Sequence, residues 1–276
     1  MCWEINKQNK MEFKTLEDRM LYYRSKTDYV LEKSPYVMIM LDGKNFSSKI
    51  KKKFSLPFDD TFIDIMNKTA AYVCSQIQGA KLAYVQSDEI SIVINNIGTD
   101  SQNLYYRNRL SKLLSITASF ATSFFNKEIL KNIAKSKNTA DDIIKSFDNE
   151  QIYQFDCKVW NLPSYNDVFA WFLYRQNDCI RNSKQQASHT YLPHKSLLGL
   201  KTDEQIKMLK DLKNIDWNEY DDGKKFGRFV RKKQFNHSII INGKKTQFMR
   251  DLWVSENGFP LNNKDDHKMF DTTFDI

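Results

Sequence analysis

Glycine and proline are scarce in this chain, 8 and 5 residues in 276. That excludes collagen-like and low-complexity classes. Cysteine is equally sparse: Cys2, Cys74, Cys157 and Cys179 lie far apart, with no C-x-x-C pair. Neither a disulfide framework nor a cysteine zinc site is expected. No apolar run approaches the length of a membrane span, and the N-terminal MCWEINKQNKMEFKTLEDRM carries acids where a signal peptide needs an apolar stretch. The expectation is a cytoplasmic protein, with use in an organelle left open. His189, His194, His237 and His267 show no ligand spacing, and Gly-x-Ser-x-Gly and Walker-type loops are missing. Hydrolytic zinc, serine-hydrolase and P-loop chemistry are thereby disfavoured.

What the chain does have is a core and positive charge. Hydrophobic residues make up 41% and aromatics 13%, enough for one large domain or two small ones. Forty-two Lys and Arg against 34 Asp and Glu leave a formal charge of +8, which suits a polyanionic partner.

The apolar run YVMIML (36 to 41) reads as a buried strand stopped at Asp42-Gly43. Asp59 then opens a segment whose Phe62, Ile65, Met66, Thr69, Ala70, Val73 and Ile77 recur at helical spacing up to Gly79. LAYVQ (82 to 86) and ISIVI (90 to 94) follow as a hairpin turning through Ser87-Asp88-Glu89. A second long helix is expected from about Leu104 to Lys131, a polar surface insertion over 135 to 150, and a further strand in IYQFDCKVWNLP.

Strand, helix, strand, strand, helix, strand is the ferredoxin-like order, an α+β fold with an antiparallel sheet and both helices on one face. Its first and third strands are central neighbours, so Asp42 and Asp88 should converge on one edge of the sheet. Beyond Pro163 a helix of about 20 residues, a capping box at Thr202 to Gln205 and a hairpin turning at Asn242-Gly243 are expected. The division is an extension over 1 to 15, a catalytic palm over 16 to 162, and a helical and basic region over 163 to 276 packed on the palm.

Three clusters carry chemistry. Asp42-Gly43 with Asp88 and Glu89 offers hard oxygen ligands of the kind that hold Mg²⁺ for phosphoryl transfer. Taken one at a time these are ordinary turn residues; placed together at the ends of apolar strands they point to a metal site. Lys44, Lys49, Lys51, Lys52 and Lys53 form an acid-free run beside them, and Arg109 and Lys112 share a helix face, a supply of phosphate contacts or simply a solvated surface. Lys224 to Arg250 holds nine Lys/Arg, no acid, and Phe226, Phe229, Phe235 and Phe248. Charge for phosphates and rings for bases is a nucleic-acid footprint, although alternating aromatics on strands also build cores.

With these residues in place, the chain resembles the tRNA-His guanylyltransferase family, and within it the Thg1-like branch of template-dependent 3′-to-5′ polymerases. The likeness runs from about Leu16 to Lys233 and rests on LEDRMLYY, MLDGKNFS, KFSLPFDD, AYVQSDEISIV, RLSKLLSITASFATSFF, FDCKVWNLP and WFLYRQNDCIRNS. It implies a polymerase palm with two Mg²⁺ ions on Asp42, Asp88 and the Gly43 carbonyl, with Glu89 as a further required acid. It also implies backbone amides of Lys44, Asn45 and Phe46 at the triphosphate, and Ser87, Arg109, Lys112 and Asn182 at nucleotide or phosphate. Substrates would be ATP, further NTPs and tRNA, and the assembly a homotetramer. Two departures matter: Leu56 stands where the eukaryotic guanylyltransferases carry a lysine before Pro57, and the block after Arg175 ends in Arg181-Asn182-Ser183 in place of their His-Ile-Asn-Asn. Both favour repair or editing of tRNA 5′ ends over addition of a single G. The rivals are that single-G reaction, a nucleotide cyclase and an inactive RNA-binding protein.

Overall fold

The computed structural model describes residues 13–241 and 244–261, with only the backbone of 240, 241 and 244–246. Its elements are α1 (Leu16–Ser25), β1 (Tyr36–Gly43), α2 (Phe46–Lys53), α3 (Asp60–Gln76), β2 (Ala80–Gln86), β3 (Glu89–Asn95), α4 (Leu110–Lys135) and α5 (Ala140–Asp148). They continue with β4 (Phe155–Leu162), α6 (Tyr165–Tyr191), α7 (His194–Leu197), α8 (Thr202–Lys213), α9 (Asp222–Phe226), β5 (Arg228–Ile241) and β6 (Lys244–Asn257). The fold is α+β: one antiparallel sheet in the order β4-β1-β3-β2-β5-β6.

The period-two alternation of the strands sorts their side chains onto two faces. Val37, Ile39, Leu41, Ile90, Ile92 and Ile94 pack with α3 and α4 around Phe62, Met66, Leu113, Ala121 and Phe125. Tyr36, Met38, Leu82, Tyr84 and Val93 point the other way, where α6 covers them with Val168, Phe169 and Phe172. The sheet is therefore sandwiched, not open on one side as the ferredoxin-like order alone implies. Both faces of β1 and β3 are apolar, which is why those strands read as continuous runs.

Caps set the helix starts. Asp59 Oδ1 accepts from the Phe62 N–H at 2.9 Å, and Ser164 Oγ accepts from the Asp167 N–H at 3.3 Å. Helix α4 begins six residues later than the sequence suggests, because Tyr106, Arg107 and Asn108 adopt left-handed backbone that ends a short turn before Leu110. The insertion carries α5, a helix with no buried residue. Helix α8 is capped one residue earlier than expected: Glu204 accepts from the Lys201 N–H at 2.7 Å, which makes Lys201 the N-cap. The Asn242-Gly243 turn lies outside the described residues, but β5 and β6 pair down to Ile241 and Lys244 on either side of it. Only Arg228 to Arg231 of β5 pair with β2. From Lys232 onward the two strands pair with each other alone, an arm of ten residue pairs, about 33 Å.

Candidate active site

Cross-strand register builds the site. Asp156 of β4 faces Asp42 of β1, Asp42 faces Glu89 of β3, and Glu89 faces Gln86 of β2, one row across four strands at one end of the sheet. Asp88 joins the row from the two-residue turn between β2 and β3, where Ser87 is left-handed and its hydroxyl donates to Asp88 Oδ1 at 3.0 Å. The Gly43 N–H donates to the Asp88 carbonyl at 3.2 Å, so the two Asp-bearing turns are tied together. Gly43 has no room for a side chain: a Cβ there would stand 2.5 Å from the Phe46 ring. That ring packs against Phe125, Tyr153 and Phe155 at 5.0 to 5.3 Å, an aromatic floor under the acid end.

The three acids differ electrostatically. Burial pushes the Asp88 carboxyl up to about 6, with the neighbouring Asp42 adding to the rise. Asp42 is raised by burial and then by the facing Asp156. Glu89 is raised by burial, against which Arg175 works. Arg175 Nε donates to Glu89 Oε1 at 2.7 Å and Nη2 to Oε2 at 2.5 Å. Arg175 also donates to Asp178 at 3.0 Å and lies against the Tyr174 and Trp171 rings. It reaches the row because α6 buries Val168, Phe172, Arg175 and Cys179 at helical spacing. The stripe turns polar where it passes the carboxylates.

Asp42, Asp88 and the Gly43 carbonyl form a hard-oxygen donor set that suits Mg²⁺, which binds through one or two carboxylates together with water and substrate phosphates. Both aspartates are raised in the absence of a cation, as expected of acids that a cation would satisfy. Among the described residues no three His, Cys, Asp or Glu side chains form a metal cage of their own. Glu89 has both oxygens on Arg175.

A cavity of about 540 Å³ opens beside Ser87 and Asp88, walled by Leu56, Pro57 and Phe58 on one side and by Asn182, Gln186 and His189 of α6 on another. Ser87 and Asn182 thus join the acid end.

Other expected contacts fall elsewhere. The Lys44 N–H is taken by the Gln154 carbonyl at 2.8 Å, so it is not free for a triphosphate. Asn45, left-handed at the N-cap of α2, makes no side-chain capping bond, which leaves first-turn amides such as that of Phe46 to solvent or ligand. Lys53 pairs with Glu150 at the end of the insertion, and Lys49 donates to the Ile152 carbonyl just beyond it.

Arg109 and Lys112 stand apart from the acid end. Arg109 bridges Val30 at the end of the sheet where Tyr36 pairs with Asn95. Phe125, which floors the acid end, lies sixteen residues along α4, roughly 24 Å at 1.5 Å per residue. There Arg109 pairs with Asp28 and lines a separate cavity of about 350 Å³ with Arg24. Within one chain neither residue shares a site with Asp42, because α4 starts from the far end of the palm.

Three residues escaped sequence reasoning. Asp156 had a signal, the alternation of F-D-C-K on a strand. Arg175 had one too, a cation in an apolar helical stripe. Arg228, 5% exposed at the start of β5, had none, since it sits in a stretch that reads as basic surface.

An antiparallel sheet with paired acids at the central strand ends and an adjoining cavity is an arrangement that suits a nucleotidyltransferase. The family model described as tRNAHis guanylyltransferase matches residues 18–163, just over half of the chain. The chain belongs to the tRNAHis guanylyltransferase family, whose members are nucleotidyltransferases acting on tRNA. It is similar to uncharacterized protein R259 of Acanthamoeba polyphaga mimivirus, 26% identical over 82% of this chain and 80% of that protein. It is also similar to the tRNA(His) guanylyltransferase of Schizosaccharomyces pombe, 34% identical over 54% of this chain and 51% of that one. Among solved structures, a bacterial tRNA(His) guanylyltransferase-like protein in complex with ATP superposes with a TM-score of 0.69 at 30% identity, covering 79% of this chain and 88% of that one. The corresponding complex with GTP also scores 0.69, at 26% identity over 94% and 97%. Among the described residues no helix is long and apolar enough to cross a membrane.

Proposed function

We propose that the protein adds nucleotides in the 3′-to-5′ direction to tRNA 5′ ends under the direction of a template, in repair or editing. The observation that carries this is the acid end itself: Asp42 and Asp88 have raised carboxyls and their turns are tied by the Gly43–Asp88 bond, and Asp88 lines a nucleotide-sized cavity. A tRNA 5′-phosphate would attack the α-phosphorus of ATP and release pyrophosphate. The 3′-hydroxyl of an incoming NTP would then attack the activated 5′-phosphorus and release AMP. Two Mg²⁺ ions held by Asp42, Asp88 and the Gly43 carbonyl would supply charge neutralisation for the attacking and leaving oxygens. Ser87, Asn45, Phe46 and Asn182 would orient the nucleotide, while Arg175 holds Glu89 so that the carboxylate row keeps its shape.

Template direction is supported by Leu56, an apolar residue at the cavity wall where a lysine would stand in eukaryotic guanylyltransferases. A cavity without that charge leaves base choice to pairing with the opposite strand. RNA contact is supported by the β5–β6 arm, which carries exposed Phe235 and Phe248 among its basic residues. Self-association into a homotetramer is supported by α1, which buries none of its residues and exposes Leu16, Met20 and Leu21. We place the activity in the cytoplasm.

The test is a tRNA lacking its first 5′ nucleotide, made in four versions that differ only in the opposing base, incubated with ATP and each NTP. Insertion of the complement in each supports the proposal. G in all four sinks it in favour of a single-G guanylyltransferase; cyclic nucleotide without RNA extension indicates a cyclase.

A further inference from the structure

The 540 Å³ cavity holds a cation that the acid end does not use. Arg228 is 5% exposed, lines the cavity, and donates from Nε to Asn67 Oδ1 at 3.0 Å and from Nη1 to the Gly223 carbonyl at 2.9 Å. Both acceptors are neutral. Among the described residues no carboxylate forms an ion pair with Arg228. Asp221, the acid that acts on it through space, is bonded instead to Asn257 Nδ2 and the Gly223 N–H. A guanidinium has five N–H donors, so part of this one is left for the cavity. A buried charge without an ion-paired partner is costly, and a ligand that supplies one recovers that cost on binding.

From this we infer that Arg228, with Lys224 and Lys51 on the same cavity, forms a phosphate-receiving subsite separate from the Asp42–Asp88 metal ligands. Lys224 is held by Asp60, an exposed partner that a phosphate can displace, and Lys51 is exposed. A guanine edge could also accept from an arginine. Three cations lining one cavity favour an anion over a neutral base, because a base leaves the other two charges unmatched. Of the two acids on the same cavity, Asp59 accepts from the Ser55 and Phe62 N–H groups, and Asp88 belongs to the acid end. The phosphate belongs to a nucleotide or to the 5′ end of an RNA. The inference rests on the nucleotidyltransferase reading for its biological ligand, but its chemistry is testable without catalysis.

The experiment is calorimetric titration of the full chain in EDTA, where no metal can draw phosphate to Asp42 and Asp88. The probes are inorganic tripolyphosphate, ATP, guanosine, and one RNA made with a 5′-phosphate and with a 5′-hydroxyl. Arg228→Met keeps much of the packing and should weaken tripolyphosphate at least ~10-fold, the loss of one charge-assisted contact. Arg228→Lys and Lys224→Met should weaken it less, and they carry the test should Arg228→Met melt too low to titrate. Loss of discrimination between the two RNAs assigns the phosphate to the RNA; loss of ATP with that discrimination intact assigns it to the nucleotide. Equal tripolyphosphate affinity in wild type and all three variants, or loss of guanosine in Arg228→Met, overturns the inference. Tripolyphosphate binding that depends on Arg228 in a protein that adds no nucleotides would leave the subsite standing and the proposed function fallen.

Discussion

Arg175 on α6 grips both oxygens of Glu89 on β3, so the acid directly opposite Asp42 in the sheet is already neutralised before any ligand arrives. Removing one member leaves the other buried and unpaired, which costs about 3–5 kcal/mol. Arg175→Met should therefore lower the melting temperature clearly, and Glu89→Gln likewise. Changing both, to Met and Gln, should recover much of the loss, because no lone charge remains. A double-mutant cycle by thermal denaturation reads this. Additive losses would mean that the two side chains act independently.

Asp42 and Asp88 are predicted to behave in the opposite way. Each is raised by burial and by neighbouring carboxylates, so each carries unfavourable charge in the metal-free protein. Asp42→Asn or Asp88→Asn should cut nucleotide addition by at least ~100-fold while leaving the melting temperature equal or higher. Near-normal activity in either variant at saturating Mg²⁺ would remove that residue from the metal site.

The same shift gives a pH dependence with a definite sign. The folded Asp88 carboxyl holds its proton up to about 6, against 3.8 for the unfolded chain. Between those values the folded state binds the extra proton, so metal-free stability from this group is present at low pH and is lost as pH rises through about 6. Asp88→Asn should flatten that part of the stability curve. Mg²⁺ should stabilise the wild type above pH 6 more than below it. Denaturant titrations from pH 4 to 8 in EDTA and in Mg²⁺ measure both effects.

Gly43 supports the site through its lack of a side chain. The Phe46 ring would stand 2.5 Å from an added Cβ and is itself packed against Phe125, Tyr153 and Phe155. Gly43→Ala must displace that ring and the strand end that carries Asp42, so activity should fall steeply. Phe46→Ala should cost about 3–5 kcal/mol of stability, as removal of a buried ring does. Both outcomes are read by activity and urea denaturation side by side.

The palm was legible because its strands are uninterrupted apolar runs and its first helix is capped by Asp59, both local signals. Convergence of Asp42 and Asp88 followed from strand order. The position of Arg109 and Lys112 was not legible, because spacing shows that two residues share a helix face without showing which end of the sheet the helix starts from. The left-handed Tyr106–Asn108 segment hid the true start of α4, since none of the three is a glycine. Lys44 lost its expected role to Gln154, a partner 110 residues away that no local pattern announces. Arg228 was invisible for a related reason: its burial depends on Asn67 and Gly223 from two other elements.

The β5–β6 arm leaves the sheet at the end opposite the acids, since Arg228 pairs with Val85 near the acid row and Arg231 with Leu82 farther along. Trp253 in its first pair packs on the core, but beyond it the strands pair only with each other, and a two-stranded ribbon on its own is marginal, which favours a role that a partner completes. Arg231 and Lys233 are tied to Glu256, whereas Lys232 lies over Trp253 and Arg250 is exposed. Lys232 and Arg250 are thus the charges best placed to meet phosphates. If they do, Lys232→Ala and Arg250→Ala should each reduce the slope of log binding constant against log salt by about 0.7–0.9 for tRNA, with little effect on ATP affinity. Melting temperatures should stay close to wild type, because neither residue has a buried ion partner to strand. A tRNA salt slope unchanged in both variants would remove the arm from the RNA-binding surface and leave its exposed Phe235 and Phe248 to be explained by another partner.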